Sequence, residues 1–428
     1  MKSVTTTNSN HQTLGYAAYG LLGLPLAMVA LPVYVQIPVY YTSQLGLSLA
    51  TTGWVLFLAR LIDTVQDPLL GRWIDRLRGG LNTVLIIAAT ILALAFLGLW
   101  LPPVTGGGLA LWLGLMLIMA YIAHSTLNIT YLAWGARIQA SQSSGDGVLL
   151  GAAAWREGAG LIGVIVASVI PSMIMAGSRT NVASNMGWYS LGFALILMLA
   201  MLALLLAAPA WQRTKTSILS LKSTYQLMSK NQAFRRLLPP YFLNALSISI
   251  PATLVLFFIN DRIQAPTYAG AFLATYFIAG AIGLPIWVKL ANRIGVISSW
   301  RIGMLLAITA FFSASLLQSG DIAAYFLVCL AAGLSLGADL ALPPVLLAKV
   351  IAQDEPPALY YGIWTLLGKL ALAFSGLALP LLAQFDYQPG HAGGALLAWI
   401  YAGIPCGFKL IALLLLMRSR QQLEVTQS

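Results

Sequence analysis

Arg60, Asp63 and Asp67 stand at i, i+3 and i+7 in a stretch that is otherwise mostly apolar from Leu49 to Leu70. On an α-helix that spacing puts the three side chains on one face. Two carboxylates one turn apart cannot both stay ionised away from water without a cation, so their affinity for a proton or a hard metal ion rises as water leaves. Carboxylate, amide and hydroxyl oxygens are the donors that alkali and alkaline-earth ions prefer. A single charge at bilayer depth costs at least about 2.5 kcal/mol. Three on one hydrophobic helix therefore demand partners or a purpose.

The elements that must position these residues belong to a membrane protein. Of 428 residues, 59% are hydrophobic and 8% charged, against about a quarter charged in soluble domains. Apolar runs of the roughly 20 residues that a bilayer demands fall at 14–36, 49–71, 83–103, 109–135, 148–176, 186–210, 237–259, 267–288, 302–319, 322–348, 358–384 and 395–417. This predicts an all-α membrane protein of twelve spans. The polar start leads directly into the first run with no small-residue cleavage pattern, so an uncleaved first span and no signal peptide are expected. With both termini inside, the cytoplasmic segments hold seventeen Lys and Arg residues, and the outer segments only Arg179 and Arg262. That bias fixes the orientation and explains the net charge of +11 as topology plus attraction to anionic lipid. No nucleic-acid partner is expected. Cys329 and Cys406 lie inside apolar runs, which argues against a disulfide framework.

The one long polar stretch, Trp211 to Arg236, carries six basic residues and no acids. It divides the chain into a six-helix half at 1–210, a cytoplasmic linker at 211–236 and a second six-helix half at 237–428. The halves repeat one another. Pro68 followed by Asp75-Arg76 closes span 2, as Pro285 followed by Asn292-Arg293 closes span 8, at an offset of 217. Two equivalent halves that each wall one side of a central cavity make the architecture of a rocking transporter.

Counted at about 1.5 Å per residue from the cytoplasmic ends of their spans, Arg60, Asp63, Arg156, Glu157, Asp339, Lys369 and Lys409 reach a depth of roughly 12–16 Å, and Asp67 about 6 Å. Four acids and four bases on five spans would then neutralise one another in one layer, an arrangement expected only around a common cavity. Arg60, Glu157 and Lys409 could equally be static partners that lock helices together. For the two aspartates the repeat supplies an internal control. Gly280 and Leu284 stand 217 residues beyond Asp63 and Asp67, so the scaffold does not require carboxylates there.

Gly71-Arg72-Trp73-Ile74-Asp75-Arg76-Leu77-Arg78-Gly79-Gly80 resembles the loop 2–3 signature of the major facilitator superfamily, with Gly71, Asp75 and Arg76 in the gating-loop positions. Arg60-x-x-Asp63-x-x-x-Asp67-Pro68 is similar to the cation-site helix of the melibiose-permease-like family of glycoside-pentoside-hexuronide:cation symporters. So, in the same order along the chain, are Tyr131-Leu-Ala-Trp-Gly-Ala with Trp155-Arg156, Gly337-Ala-Asp339-Leu-Ala-Leu-Pro-Pro344 and Trp364-Thr-Leu-Leu-Gly-Lys369. The resemblance implies a major facilitator fold and a cation site of Asp63, Asp67, Gln66 and Ser125, with the ion open between sodium and proton. It implies solute contacts from Arg156, Asn128, Lys369 and Trp155, while their shared depth makes Arg60, Glu157, Asp339 and Lys409 an expected charge network. The chain departs from the sugar-binding pattern where Asn128 takes the place of an acid, where Leu132 takes the place of a tryptophan, and in span 1, which has no acid between Gly20 and Tyr34. An apolar wall beside Arg156 and Lys369 would suit a lysolipid or another amphiphilic or anionic solute.

The expected function is cation-coupled symport of a small organic solute, glycoside-like by resemblance, with the lysolipid reading as the alternative. The expected setting is the inner (plasma) membrane, as a monomer among lipids, with no resident cofactor. A receptor on the same fold would bind solute without gradient dependence. An enzyme is not expected: there is no His-Glu-x-x-His helix and no Gly-x-Ser-x-Gly elbow. His124 reads either as a hydrogen-bonded packing residue or as a cavity or relay member. Pro25, Pro32, Pro171, Pro251, Pro285, Pro343, Pro344 and Pro405 are expected at bends.

Overall fold

A computed structural model of the chain describes residues 15, 17–76, 80–140, 147–177, 181–208, 231–351, 357–391 and 394–425. Every regular element among them is helical, as lipid requires of spans that must satisfy their own backbone hydrogen bonds. The helices are α1 (Gly23–Val29), α2 (Leu31–Val39), α3 (Leu49–Arg76), α4 (Leu81–Trp100), α5 (Leu109–Ala140), α6 (Gly147–Ala176), α7 (Val182–Ala207) and α8 (Gln232–Phe257). They continue with α9 (Ala269–Ile294), α10 (Val296–Leu316), α11 (Ile322–Val350), α12 (Pro357–Ser375), α13 (Ala378–Ala383), α14 (Ala395–Ala398) and α15 (Ile404–Val425). Among the described residues, eleven stretches are long and apolar enough to cross a membrane. α3 is not one of these, because of its polar residues, yet its 28 residues at about 1.5 Å each span roughly 42 Å. By length it supplies the twelfth expected span.

One expectation about local geometry needs correction. The helix that carries the aspartates does not give way to a loop at Gly71 but runs on through Asp75 to Arg76. A lone glycine costs a helix only about 1 kcal/mol, whereas Gly80, at φ 73°, takes up the left-handed conformation just before α4. α6, α8, α9 and α11 run on as helix through Pro171, Pro251, Pro285, Pro343 and Pro344. The break in span 1 comes at Ala30, with ψ at −102°, two residues before Pro32, which has no N–H to offer the Met28 carbonyl.

π-helical turns follow α2 at Tyr40–Gln44 and α8 at Phe258–Ile263, starting 218 residues apart. The offset is close to that of the sequence repeat, so the first helices of the two halves end in the same way. A third π-helical turn, Trp399–Gly403, joins α14 to α15.

By contacts the chain forms two compact units, Met1–Ile37 with Val65–Thr216, and Pro38–Thr64 with Ser217–Ser428. This differs from the expected halves in placing Pro38–Thr64 with the second unit. Residues 209–230, most of the expected linker, lie outside the described residues.

The first unit packs α1 against α6 through glycines. A Cβ on Gly163 would fall 2.2 Å from the Leu24 carbonyl oxygen, and one on Gly23 would fall 2.7 Å from that of Arg156. Small residues at such contacts let helix backbones approach in lipid, where burial of apolar surface gives no drive. Farther along, Phe96 stacks on Phe193 with centroids 3.9 Å apart, fixing α4 against α7.

In the second unit the amino-terminal half of α3 lies against α12 and α13. A Cβ on Gly53 would fall 2.3 Å from Pro380 Cδ and 2.8 Å from the Gly376 carbonyl oxygen, and Phe57 meets Phe374 at 5.8 Å. Gly53→Leu is therefore expected to part these helices and abolish most folded protein, since overpacking against backbone costs at least about 1–3 kcal/mol. Size-exclusion chromatography of the detergent-solubilised variant checks this, and a wild-type yield would refute it. The apolar core at the other end of this unit gathers around Trp300, Trp287 and Leu347.

Candidate functional site

α3 presents Arg60, Asp63, Gln66 and Asp67 along one side. Asp63 is 2% exposed and Arg60 8%. The Asp63 carboxylate accepts from two cations: Arg60 Nη1 donates to Oδ2 at 3.0 Å, and Lys369 Nζ, from α12, donates to Oδ1 at 3.2 Å. The Gly53 contact lies nearby, packing α3 on Gly376 and Pro380 just beyond the end of α12. Thr64 Oγ1 donates to the Arg60 carbonyl at 2.8 Å, tying the turn that separates Arg60 from Asp63. The three side chains thus form a buried triad of one acid and two bases.

Asp67 and Gln66, one turn on, are half-buried. On α5, Ser125 is buried and Asn128 half-buried, one turn apart. His124 Nε2 lies 3.1 Å from the Leu26 carbonyl oxygen, in the last turn of α1 before the Ala30 break, which suits the packing role. On α6, Trp155 is exposed and Arg156 half-buried beside the Gly20 and Gly23 contacts. Gly71 is half-buried; the side chains of Glu157, Asp75 and Arg76 lie outside the described residues.

The described ion pairs fall into two groups, of which Arg60, Asp63 and Lys369 form the first. The second joins Lys409 Nζ to Asp339 Oδ2 at 2.7 Å, with side chains 3% and 2% exposed. Asp339 Oδ1 also accepts from Trp300 Nε1 at 2.8 Å and from Asn244 Nδ2 at 3.0 Å. Four helices, α8, α10, α11 and α15, thus meet on one carboxylate. Trp300 and Asn244 were missed by sequence reasoning; a solitary amide in an apolar run, Leu243-Asn244-Ala245, is the signal that could have found one of them.

A further acid lies at the end of the π-helical turn after α8. Asp261 accepts from the Tyr387 hydroxyl and, at 3.1 Å, from the Gly390 N–H. Burial, with the Asp261 carboxylate adding to it, pushes the Tyr387 phenol well above its ordinary value.

Long apolar helices around buried charge pairs are the make-up of a multi-pass membrane protein. The chain matches the family described as MFS/sugar transport protein over residues 15–420, and it belongs to that family. It is accordingly a transporter and not an enzyme. Among curated sequences it is 29% identical over 157 residues to the uncharacterized symporter YnaJ of Bacillus subtilis, covering 35% of this chain and 32% of that protein. It is 22% identical over 281 residues to the isoprimeverose transporter of Lactiplantibacillus pentosus, covering 63% of this chain and 57% of that one. The matches thus span about a third and just over half of these relatives. Among solved structures, the nucleoside transporter NupG superposes with a TM-score of 0.73 at 14% identity for its D323A mutant, covering 95% of this chain and 99% of that one. A bacterial homologue of the lysosomal transporter Spinster, inward-facing and unoccupied, gives 0.61 at 15% identity, covering 96% and 97%. Both show the major facilitator fold expected from the sequence.

Proposed function

We propose that the protein is a symporter that couples sodium or proton entry to uptake of a small glycoside-like solute. The observation that carries this is the Asp63 carboxylate, held at 3.0 and 3.2 Å by Arg60 and Lys369 inside the apolar part of the chain. In this reading Asp63 and Asp67, with the oxygens of Gln66 and Ser125, hold the cation. Arrival of the cation competes with Lys369 for Asp63, so binding of one loosens the other. That competition is a coupling free energy between two ligands, and coupling of this kind is reciprocal. The released ammonium, with Arg156, Asn128 and Trp155, is then free to engage solute. Arg60 stays on Asp63 as the local counter-charge, and Asp339 with Lys409 holds the second unit's helices in place. The protein acts as a monomer in the inner membrane with both termini cytoplasmic, needs no cofactor beyond the transported ion, and touches lipid and solute only. A symporter and a sugar-type transporter among its relatives support the reading.

The test is uptake into proteoliposomes under imposed sodium or proton gradients, with a panel of glycosides and a lysophospholipid. Accumulation of a glycoside under one of the two gradients is expected. Asp67→Asn should lower it to the equilibrium level while the protein still elutes as a folded monomer. Unchanged accumulation in Asp67→Asn would sink the cation assignment, and accumulation of the lysophospholipid alone would replace the solute.

A further inference from the structure

One end of the second unit, the outer end in the orientation proposed above, is gathered around the close of the π-helical turn after α8. Consecutive residues there face two different connections. Arg262 Nε donates to the Leu317 carbonyl at 2.8 Å, the Gly320 N–H donates to the Ile263 carbonyl at 3.0 Å, and Ser319 Oγ donates to Gln264 Oε1 at 2.6 Å. Three separate bonds thus sew the turn to the connection between α10 and α11. On its other side the turn meets residues 384–391, which follow α13. Every described hydrogen bond between these two ends on the Asp261 carboxylate, which is 5% exposed. Its Oδ2 accepts from the Tyr387 hydroxyl and its Oδ1 from the Gly390 N–H at 3.1 Å.

The two attachments differ in kind. Hydrogen bonds to an ionised acceptor are roughly twice as strong as neutral ones, so neutralising Asp261 weakens both bonds to the segment together. The bonds to the α10–α11 connection have no such common point. The segment itself has a left-handed residue on each side of Tyr387-Gln388-Pro389, Asp386 at φ 57° and Gly390 at φ 86°, and most of its residues are exposed. Among the charged and titratable groups around the turn, His391 is exposed on the segment and acts electrostatically on Asp261. Arg262 is turned to the Leu317 carbonyl, and Asp321 accepts from the Gln318 N–H. The Tyr325 and Tyr401 hydroxyls bond each other at 2.9 Å. Asp386 is exposed, and α14 carries no titratable residue.

We propose that residues 384–391 are a strap across this end of the second unit, fastened through the ionised Asp261 carboxylate and released when that carboxylate takes up a proton. The strap continues the chain from α12 and α13, and α12 carries Lys369. Acid therefore loosens the far end of the segment that bears the lysine, while the turn after α8 stays sewn to the α10–α11 connection. The strap depends on neither the solute nor the coupling ion of the reading above.

Hydrogen–deuterium exchange of the full chain in detergent tests it, read at the Gly390 and Gly320 amides as protection relative to the unfolded peptide. Between about pH 7.5 and about pH 4.5, Gly390 protection should fall about tenfold, the weight of a lost charge-assisted hydrogen bond. Gly320, bonded to the Ile263 carbonyl, should keep its protection throughout. Asp261→Asn should show the low Gly390 value at both ends of the range. His391→Gln should retain the fall, which sets the imidazole aside as its cause. Tyr387→Phe removes a donor from the ionised acid, so the midpoint of the fall should move to higher pH. That variant carries the test if Asp261→Asn does not fold. Gly390 protection that ignores pH in the wild type would overturn the proposal. So would a fall that persists in Asp261→Asn, a midpoint unmoved in Tyr387→Phe, or an equal loss at Gly320, which would mean that the whole end melts as one piece.

Discussion

Asp63→Asn is expected to abolish gradient-driven accumulation, by at least about a hundredfold, and to cut the amount of folded protein as well. The carboxylate holds Arg60 at 3.0 Å and Lys369 at 3.2 Å. Without its charge two cations face each other at a buried position, and breaking a buried pair in this way costs roughly 3–5 kcal/mol. Lys369→Met separates the two effects. It leaves Arg60 and Asp63 as a neutral pair, so the protein should fold nearly normally, yet without the competing ammonium the link between cation and solute is lost. Uptake under a gradient and thermal unfolding in detergent, measured on both variants, check this. Normal accumulation by Asp63→Asn would remove the residue from the mechanism.

Lys409→Met should be nearly as damaging to stability, by roughly 3–5 kcal/mol, because it strands the Asp339 charge among apolar helices. Adding Asp339→Asn should recover most of that loss, since replacing both members of a buried ion pair by neutral groups is often close to neutral. Trp300 and Asn244 can still donate to the new amide oxygen. The readout is the temperature at which each variant loses its monomeric elution peak. A double variant no better than the single would show that the carboxylate does more than neutralise the lysine.

The sequence made the charged face of α3 legible, because i, i+3 and i+7 spacing in an apolar helix has one geometric meaning. It also made the repeat legible, and the π-helical turns at Tyr40 and Phe258 extend it. The partner choice was harder to read. Depth alone put seven charges at one level and did not say that Lys369 goes to Asp63 and Lys409 to Asp339. Which bases meet which acids depends on close helix approaches such as that at Gly53, where a missing side chain leaves no periodic signal. Gln36 escaped for another reason: it is uncharged, and no charge pattern announces the bonds that its amide makes to Ser168 and Ser172.

Arg60 and Lys369 serve the same carboxylate, but one is 3 residues from Asp63 and the other 306. At a synthesis rate of about 5–20 residues per second, the lysine emerges roughly 15–60 s after the aspartate. During that interval Asp63 has entered, or is waiting to enter, the bilayer with Arg60 as the counter-charge already at hand. The arginine is therefore the counter-charge within reach of Asp63 from the outset, and the lysine can close the site only after most of the second half has been made.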